Sequence, residues 1–165
     1  MAADEERDLA GRLGALPLKP FDFHGYLGKR RVVSFGYRYD YSSARLADGE
    51  AIPDFLLPLR ARVSGLAGLP ADSLQQVLVT EYAAGAGIGW HRDKAVFGDV
   101  IAVSLLSPCR LRLRRRHGDA RGDTWELVVQ PRSLYILRGA VRQNWEHSVP
   151  PLERLRYAIT FRTLV

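Results

Sequence analysis

The chain has 165 residues, a hydrophobic fraction of 47%, a formal net charge of +6 and a pI near 9.8. That length suits one domain, residues 1–165, with a sizeable core, and no apolar run approaches the roughly 20 residues of a membrane-spanning helix. The single cysteine, Cys109, excludes an intramolecular disulfide, and the acidic opening has no apolar signal-peptide core behind it, so a soluble, cytoplasmic monomer is expected.

Residues Asp4 to Leu16 are predicted as a short amphipathic helix, with Leu9, Leu13 and Leu16 at helical spacing and acidic residues in the first turn, where the helix dipole favours them. Pro17 stops it. From Lys19 to Tyr41 the alternation is that of two or three short strands, broken at His24-Gly25 and at Gly36; Ser42 to Gly49 is polar and predicted as a loop. A second helix is predicted from Pro53 to Leu66, closed by Gly65, Gly68 and Pro70. Eight short β-rich runs follow: 74–82, 88–92, 100–106, 110–116, 125–129, 133–137, 145–149 and 157–164. Such spacing predicts a mainly β fold, a jelly roll with helices packed on its outside, and residues 74–165 would form its core. An immunoglobulin-like sandwich is the alternative, and the two preceding helices count against it.

Within this series, Gly85 to Gly89 leads into Trp90-His91-Arg92-Asp93. Side chains at i and i+2 of a strand share a face, so His91 and Asp93 could hold one metal ion. His117-Gly118-Asp119 has the same spelling, but it lies between Arg114-Arg115-Arg116 and Ala120-Arg121-Gly122-Asp123 and is predicted as an exposed hairpin turn. A third ligand is available at His147, on a late strand that a closed sheet can bring opposite an early one. Two histidines and one carboxylate suit non-haem Fe(II), and zinc with the same ligands is the alternative. His24 is read as structural. In the last strand, Arg156, Ala158, Thr160 and Arg162 share one face, and Tyr157, Ile159 and Phe161 share the other, which is core. Two arginines facing an interior require anions, and a small dicarboxylate would supply both; otherwise the pair caps the rim in solvent.

With these residues assembled, the chain resembles the AlkB-like branch of the Fe(II)/2-oxoglutarate-dependent dioxygenases. The likeness rests on Thr80-Glu-Tyr82 with Gly85 and Ile88, on His91-x-Asp93, on the distant His147, and on Arg156-Tyr-Ala-Ile-Thr-Phe-Arg162, which is similar to the family's Arg-x-Asn-x-Thr-Phe-Arg. The match runs from Lys29 to Leu164. The resemblance implies a double-stranded β-helix with Fe(II) held by His91, Asp93 and His147. It also implies 2-oxoglutarate bound with Arg162 near its C1 carboxylate, and Arg156, assisted by Tyr82 and with Thr80 nearby, on its distal carboxylate. O2 and 2-oxoglutarate would be turned to succinate and CO2 as a C–H bond is hydroxylated; an N-methyl group would then leave as formaldehyde. Ala158 and Thr80 depart from the family's asparagines, and Lys94-Ala95 replaces the acidic residue that follows the His-x-Asp in DNA-repair members.

Residues 17–52 are read as a substrate-recognition lid. Its Tyr37, Tyr39 and Tyr41 share one strand face and could stack on a base of single-stranded nucleic acid, with Arg38 beside them and Lys94 near the metal; alternatively the rings pack over the barrel mouth as core. Arg110, Arg112, Arg114 and Arg116 form a row that could follow a phosphate backbone or simply guard a solvated edge. Lysine occurs only at positions 19, 29 and 94, so the basicity is nearly all arginine, which phosphate recognition or a coding bias would explain equally. The expected reaction is oxidative demethylation of alkylated bases in single-stranded DNA or RNA. The alternatives are the same chemistry on a protein or small molecule, and a non-catalytic nucleic-acid-binding module. His91→Ala and Asp93→Ala are both expected to abolish turnover with the fold intact.

Overall fold

A computed structural model describes the chain apart from residues 24, 25, 41, 42, 118 and 119; for residues 23, 26, 27, 117, 120 and 121 only the backbone is described. His24, Tyr41 and the Gly118-Asp119 turn therefore lie outside the described residues. Helix α1 (Ala3–Gly14) carries Asp4, Glu5 and Glu6 in its first turn and Arg12 in its last, the polarity that its dipole favours. Leu9 and Leu13 are its buried stripe. Strands β1 (Lys19–Phe23), β2 (Tyr26–Phe35), β3 (Tyr37–Asp40) and β4 (Arg45–Asp48) follow.

The fourth strand corrects the loop expected over 42–49. It pairs antiparallel with β3, Tyr37 opposite Asp48 and Tyr39 opposite Leu46. Arg-Leu-Ala-Asp is too short and too polar to alternate visibly; hairpin pairing, not local pattern, makes it a strand.

A 3₁₀ turn at Asp54–Leu56 leads into α2 (Leu57–Ala67). Pro53 caps the 3₁₀ turn and the first α-turn proline is Pro58, so the helix starts later than its proline suggested. Gly68, at φ 66°, ends it in the left-handed conformation that favours glycine.

All eight β runs are strands: β5 (Gln76–Tyr82), β6 (Ile88–His91), β7 (Phe97–Leu105), β8 (Cys109–His117), β9 (Ala120–Val129), β10 (Ser133–Leu137), β11 (Glu146–Val149) and β12 (Arg156–Leu164). A short helix that sequence reading missed, α3 (Gly139–Asn144), sits between β10 and β11. The strands form a major sheet in the order β1-β2-β5-β12-β7-β10, a minor sheet β6-β11-β8-β9 and the separate β3-β4 hairpin. This is the expected jelly roll.

Strand β12 shows how the layers are built. Tyr157, Ile159 and Phe161 join Leu9, Leu13, Leu56, Leu59 and Val63 in a core between the major sheet and the helices. Ala158 turns the other way and packs with Tyr82 and Ala86, while Cys109, Leu111, Val129 and Val149 fill the space under the minor sheet.

On the helix side, Arg31 donates from Nε and Nη2 to the two oxygens of Glu81 (2.7 and 2.9 Å), and the Tyr157 hydroxyl adds a bond of 2.8 Å. The Arg31 hydrogen bond outweighs burial and holds the Glu81 carboxyl below its ordinary 4.5. A carboxyl whose pKa is depressed on folding stabilises the fold above its unfolded value, and that stabilisation is lost as pH falls through the folded value. Glu81→Gln should therefore lower stability at pH 7, and the difference from wild type should shrink at pH 3, as measured by urea unfolding. An equal deficit at both pH values would remove the ionised carboxylate as its cause.

Candidate active site

Strands β6 and β11 are neighbours, and His91 lies directly opposite His147. Their ring centroids are 4.1 Å apart, with the planes tilted by 53°. Upstream, Gly87 lets the chain press against the end of β11: a Cβ there would lie 2.6 Å from the Val149 carbonyl oxygen. His91 Nδ1 is 2.9 Å from the Gly89 carbonyl oxygen. A carbonyl only accepts, so Nδ1 carries the proton and Nε2 keeps its lone pair for a ligand.

Asp93 is not in the strand, because β6 ends at His91. Strand alternation is thus not what aims its carboxylate. The loop is fixed instead by Arg142 of α3, whose guanidinium donates to the carbonyls of Lys94 (2.6 Å), Phe97 (2.6 Å) and Gly98 (2.9 Å), and by Arg92 Nη1 on the Gln143 carbonyl (3.2 Å). Asp93 Oδ2 comes within 3.7 Å of His147 Nε2. The three ligand atoms of His91, Asp93 and His147 all lie within 4.8 Å of one another.

Burial pushes the Asp93 carboxyl up, but Arg162 and the two imidazoles outweigh it and hold the group at about 2. Burial, followed by the effect of His91, brings His147 down to about 4; burial lowers His91 as well. At neutral pH the set is two neutral imidazoles and one carboxylate, all deprotonated as metal ligation requires.

The two arginines of β12 are both buried, at 1% and 7% exposure, which excludes the solvent-capped rim. Their partners differ. Arg162 donates to Asp93 Oδ1 (2.6 Å) and Gln76 Oε1 (2.8 Å), so a protein carboxylate already neutralises it. Arg156 donates from Nε to Ser104 Oγ (2.9 Å), and its Nη2 has no hydrogen-bond partner among the described residues. Tyr82 lies directly opposite Arg156 on β5, its ring 5.2 Å from the guanidinium carbon, and Thr80 lies opposite Ala158 on the same inner face. Ser104 and the half-buried Tyr135 complete this neighbourhood, although no sequence motif flagged either one.

A cleft of about 700 Å³ opens beside the triad, lined among others by Arg30, Tyr39, Trp90, His91, Asp93, Lys94 and Arg162. Lys94 sits with its ammonium 5.0 Å from the centre of the Tyr39 ring. Tyr39 and Lys94 thus reach the site as expected. Tyr37 and Arg38 are not part of the cleft wall; Arg38 alternates to the other face of β3 and is exposed. The arginine row is largely occupied within its own sheet: Arg110 pairs with Glu126 (2.9 Å), Arg114 with Glu146 (2.6 Å), and Arg112 donates to Ser148 Oγ (3.1 Å). Arg112 and Arg114 also cover the Trp90 ring at 5.1 and 4.4 Å. These contacts favour a solvated strand face over a free phosphate track, but β8 lies between β11 and β9 and so guards no edge.

The profile of the 2OG-Fe(II) oxygenase superfamily matches residues 18–162. The chain belongs to that superfamily. Among curated proteins it is 30% identical to the alkylated DNA repair protein ALKBH8 homolog of Arabidopsis thaliana, over 75% of this chain and 42% of that one. It is 26% identical to the tRNA (carboxymethyluridine(34)-5-O)-methyltransferase ALKBH8 of Mus musculus, over 79% of this chain and 20% of that protein. The match thus spans less than half the length of either relative. In fold it is similar to OsALKBH1, with a TM-score of 0.73 at 17% identity, over 98% of this chain and 92% of the other. This 2OG-Fe(II) oxygenase, similar to AlkB homologues, thus belongs to a class that takes Fe(II) as its metal and 2-oxoglutarate as cosubstrate. The residues present fit both groups: a deprotonated two-histidine, one-carboxylate set suits Fe(II), and the orphaned donor of Arg156 suits a carboxylate.

Proposed function

We propose that this oxygenase oxidatively demethylates alkylated bases in single-stranded DNA or RNA. The observation that carries the reading is the cleft, where an aromatic ring with a cation over it, Tyr39 with Lys94, and a further arginine, Arg30, stand beside His91 and Asp93. A base can stack on the ring while phosphates meet the cations. The net charge of +6 suits a polyanion. Two relatives add support, since the name of one refers to alkylated DNA and that of the other to a modified tRNA uridine.

In this reading His91, Asp93 and His147 hold the iron. Arg156 receives the distal carboxylate of 2-oxoglutarate, with Tyr82 and Thr80 lining that end. Arg162 donates to Asp93 Oδ1, which would leave Oδ2, the oxygen 3.7 Å from His147 Nε2, for the metal, and Arg162 would also serve the C1 carboxylate. The bound iron, with O2 and 2-oxoglutarate, supplies oxidation of a C–H bond with succinate and CO2 as coproducts. The chain's own residues orient the two carboxylates, keep three ligands deprotonated and present the methylated ring.

The test is formaldehyde release from a panel of methylated single-stranded oligonucleotides with Fe(II), O2 and 2-oxoglutarate. Stoichiometric formaldehyde and succinate are expected. Consumption of 2-oxoglutarate with no oligonucleotide turned over would sink the nucleic-acid assignment and favour a protein or small-molecule substrate.

A further inference from the structure

Four residues stand in register across the minor sheet. His91 is opposite His147, His147 opposite Leu113, and Leu113 opposite Trp125. Directly opposed residues of an antiparallel ladder project to the same face. The face that presents the two imidazoles therefore also presents Leu113 and Trp125. With neighbouring strands about 4.8 Å apart, the backbone of Trp125 lies about 10 Å from that of His147.

Burial along β9 shows where this face is open. Val129 is 3% exposed and packs with Cys109 and Leu111 in the core under the sheet. Two and four residues earlier on the same face, Leu127 is 47% and Trp125 68% exposed. Strand β9 is the edge of its sheet, so no further strand extends this surface. The cleft wall comes from β6, β2, Tyr39 and their neighbours, and none of the described residues of β8 or β9 lines it. Trp125 therefore flanks the triad on the side away from the cleft.

We infer that Trp125, backed by Leu113 and Leu127, is a second stacking surface for a single-stranded nucleic acid, taking a base that neighbours the one held in the cleft. The inference rests on the proposed substrate class. A scattered exposed apolar residue means little by itself. This one is continuous, strand by strand, with the metal-ligand row, and an indole is the side chain best suited to an unpaired, planar ring.

The test compares wild type, Trp125→Ala and Trp125→Phe by fluorescence anisotropy with fluorescein-labelled oligothymidylates of two and of ten nucleotides. Trp125 is exposed, so both variants should fold. Trp125→Ala should weaken the ten-nucleotide complex by about tenfold, the size of one lost base–aromatic stack, and leave the two-nucleotide complex unchanged; Trp125→Phe should recover most of the loss. Equal binding of the longer strand by wild type and Trp125→Ala would overturn the stacking assignment while leaving the proposed function standing. A wild type that binds neither length would overturn both. A change of sedimentation coefficient in Trp125→Ala, with oligonucleotide affinity intact, would assign the face to a second copy of the chain and likewise overturn it.

Discussion

Replacing Arg156 by leucine should weaken 2-oxoglutarate binding by about two orders of magnitude while leaving the ligand-free protein at least as stable as wild type. Arg156 is 1% exposed, meets neutral groups, Ser104 and Tyr82, and keeps Nη2 unsatisfied among the described residues. A buried charge without a counter-ion is a burden on the ligand-free fold, and an apolar residue of similar volume removes it. The bound state is the reverse. Truncating one side of a desolvated, charge-assisted pair costs about 2–5 kcal/mol, or roughly 30-fold to several thousand-fold in affinity. Arg156→Lys should fall between the two, since an ammonium keeps the charge and loses the planar fork. Calorimetric titration with 2-oxoglutarate in the presence of Mn(II), alongside urea unfolding without ligand, separates the two effects. An Arg156→Leu affinity within threefold of wild type would take this guanidinium out of the cosubstrate site.

Arg156 also shows what a single strand can reveal. The alternation of β12 was legible in the residues themselves, because Tyr157, Ile159 and Phe161 are large and apolar while Arg156, Thr160 and Arg162 are polar or charged. Period-two alternation determines facing wherever one side is buried. The two helices and the longer late strands were legible for the same reason, a run long enough to show its own period, whereas β6 and β11, no longer than β4, were marked by the turn residues that bound them. What escaped depends on partners distant in the chain. Strand β4 exists by pairing with β3, and the six residues of α3 are too few to show a stripe. Arg142 reads as one more arginine until α3 folds back on three carbonyls beside Asp93. Trp125 reads as an ordinary strand residue until the β8–β9 register aligns it with His147.

The site itself was half legible for an instructive reason. The proximity of His91 to His147 follows from sheet closure, as the argument from a late strand facing an early one anticipated. The position of Asp93 was expected on different grounds, strand alternation, which the structure replaces with a loop clamped by α3. The demand of the two arginines for anions was also only partly right. Asp93 answers for Arg162, so the unmet demand is concentrated on Arg156.

That division separates the triad residues, which sequence alone treated alike. His91→Ala, His147→Ala and Asp93→Ala should each abolish metal-dependent turnover, but only Asp93→Ala should also cost about 3–5 kcal/mol of stability. The Asp93 and Arg162 side chains are 8% and 9% exposed and bonded at 2.6 Å; removing the carboxylate leaves a buried guanidinium with Gln76 as its remaining partner and Nε already unsatisfied. Neither imidazole has such a dependant. Among the described residues His91 is hydrogen-bonded to the Gly89 carbonyl, a bond whose loss is worth about 1 kcal/mol. Asp93→Asn, which keeps an amide oxygen where Oδ1 stands, should recover part of the stability and none of the turnover. Adding Arg162→Met to Asp93→Ala should restore stability beyond what the sum of the single variants allows, because both act on one ion pair. Urea unfolding of wild type, the single variants, Arg162→Met among them, and the double variant, with Co(II) binding followed by absorption, reads both quantities. If Asp93→Ala were no less stable than His91→Ala, the Arg162 contact would contribute nothing net to the fold, and Asp93 would serve the metal alone.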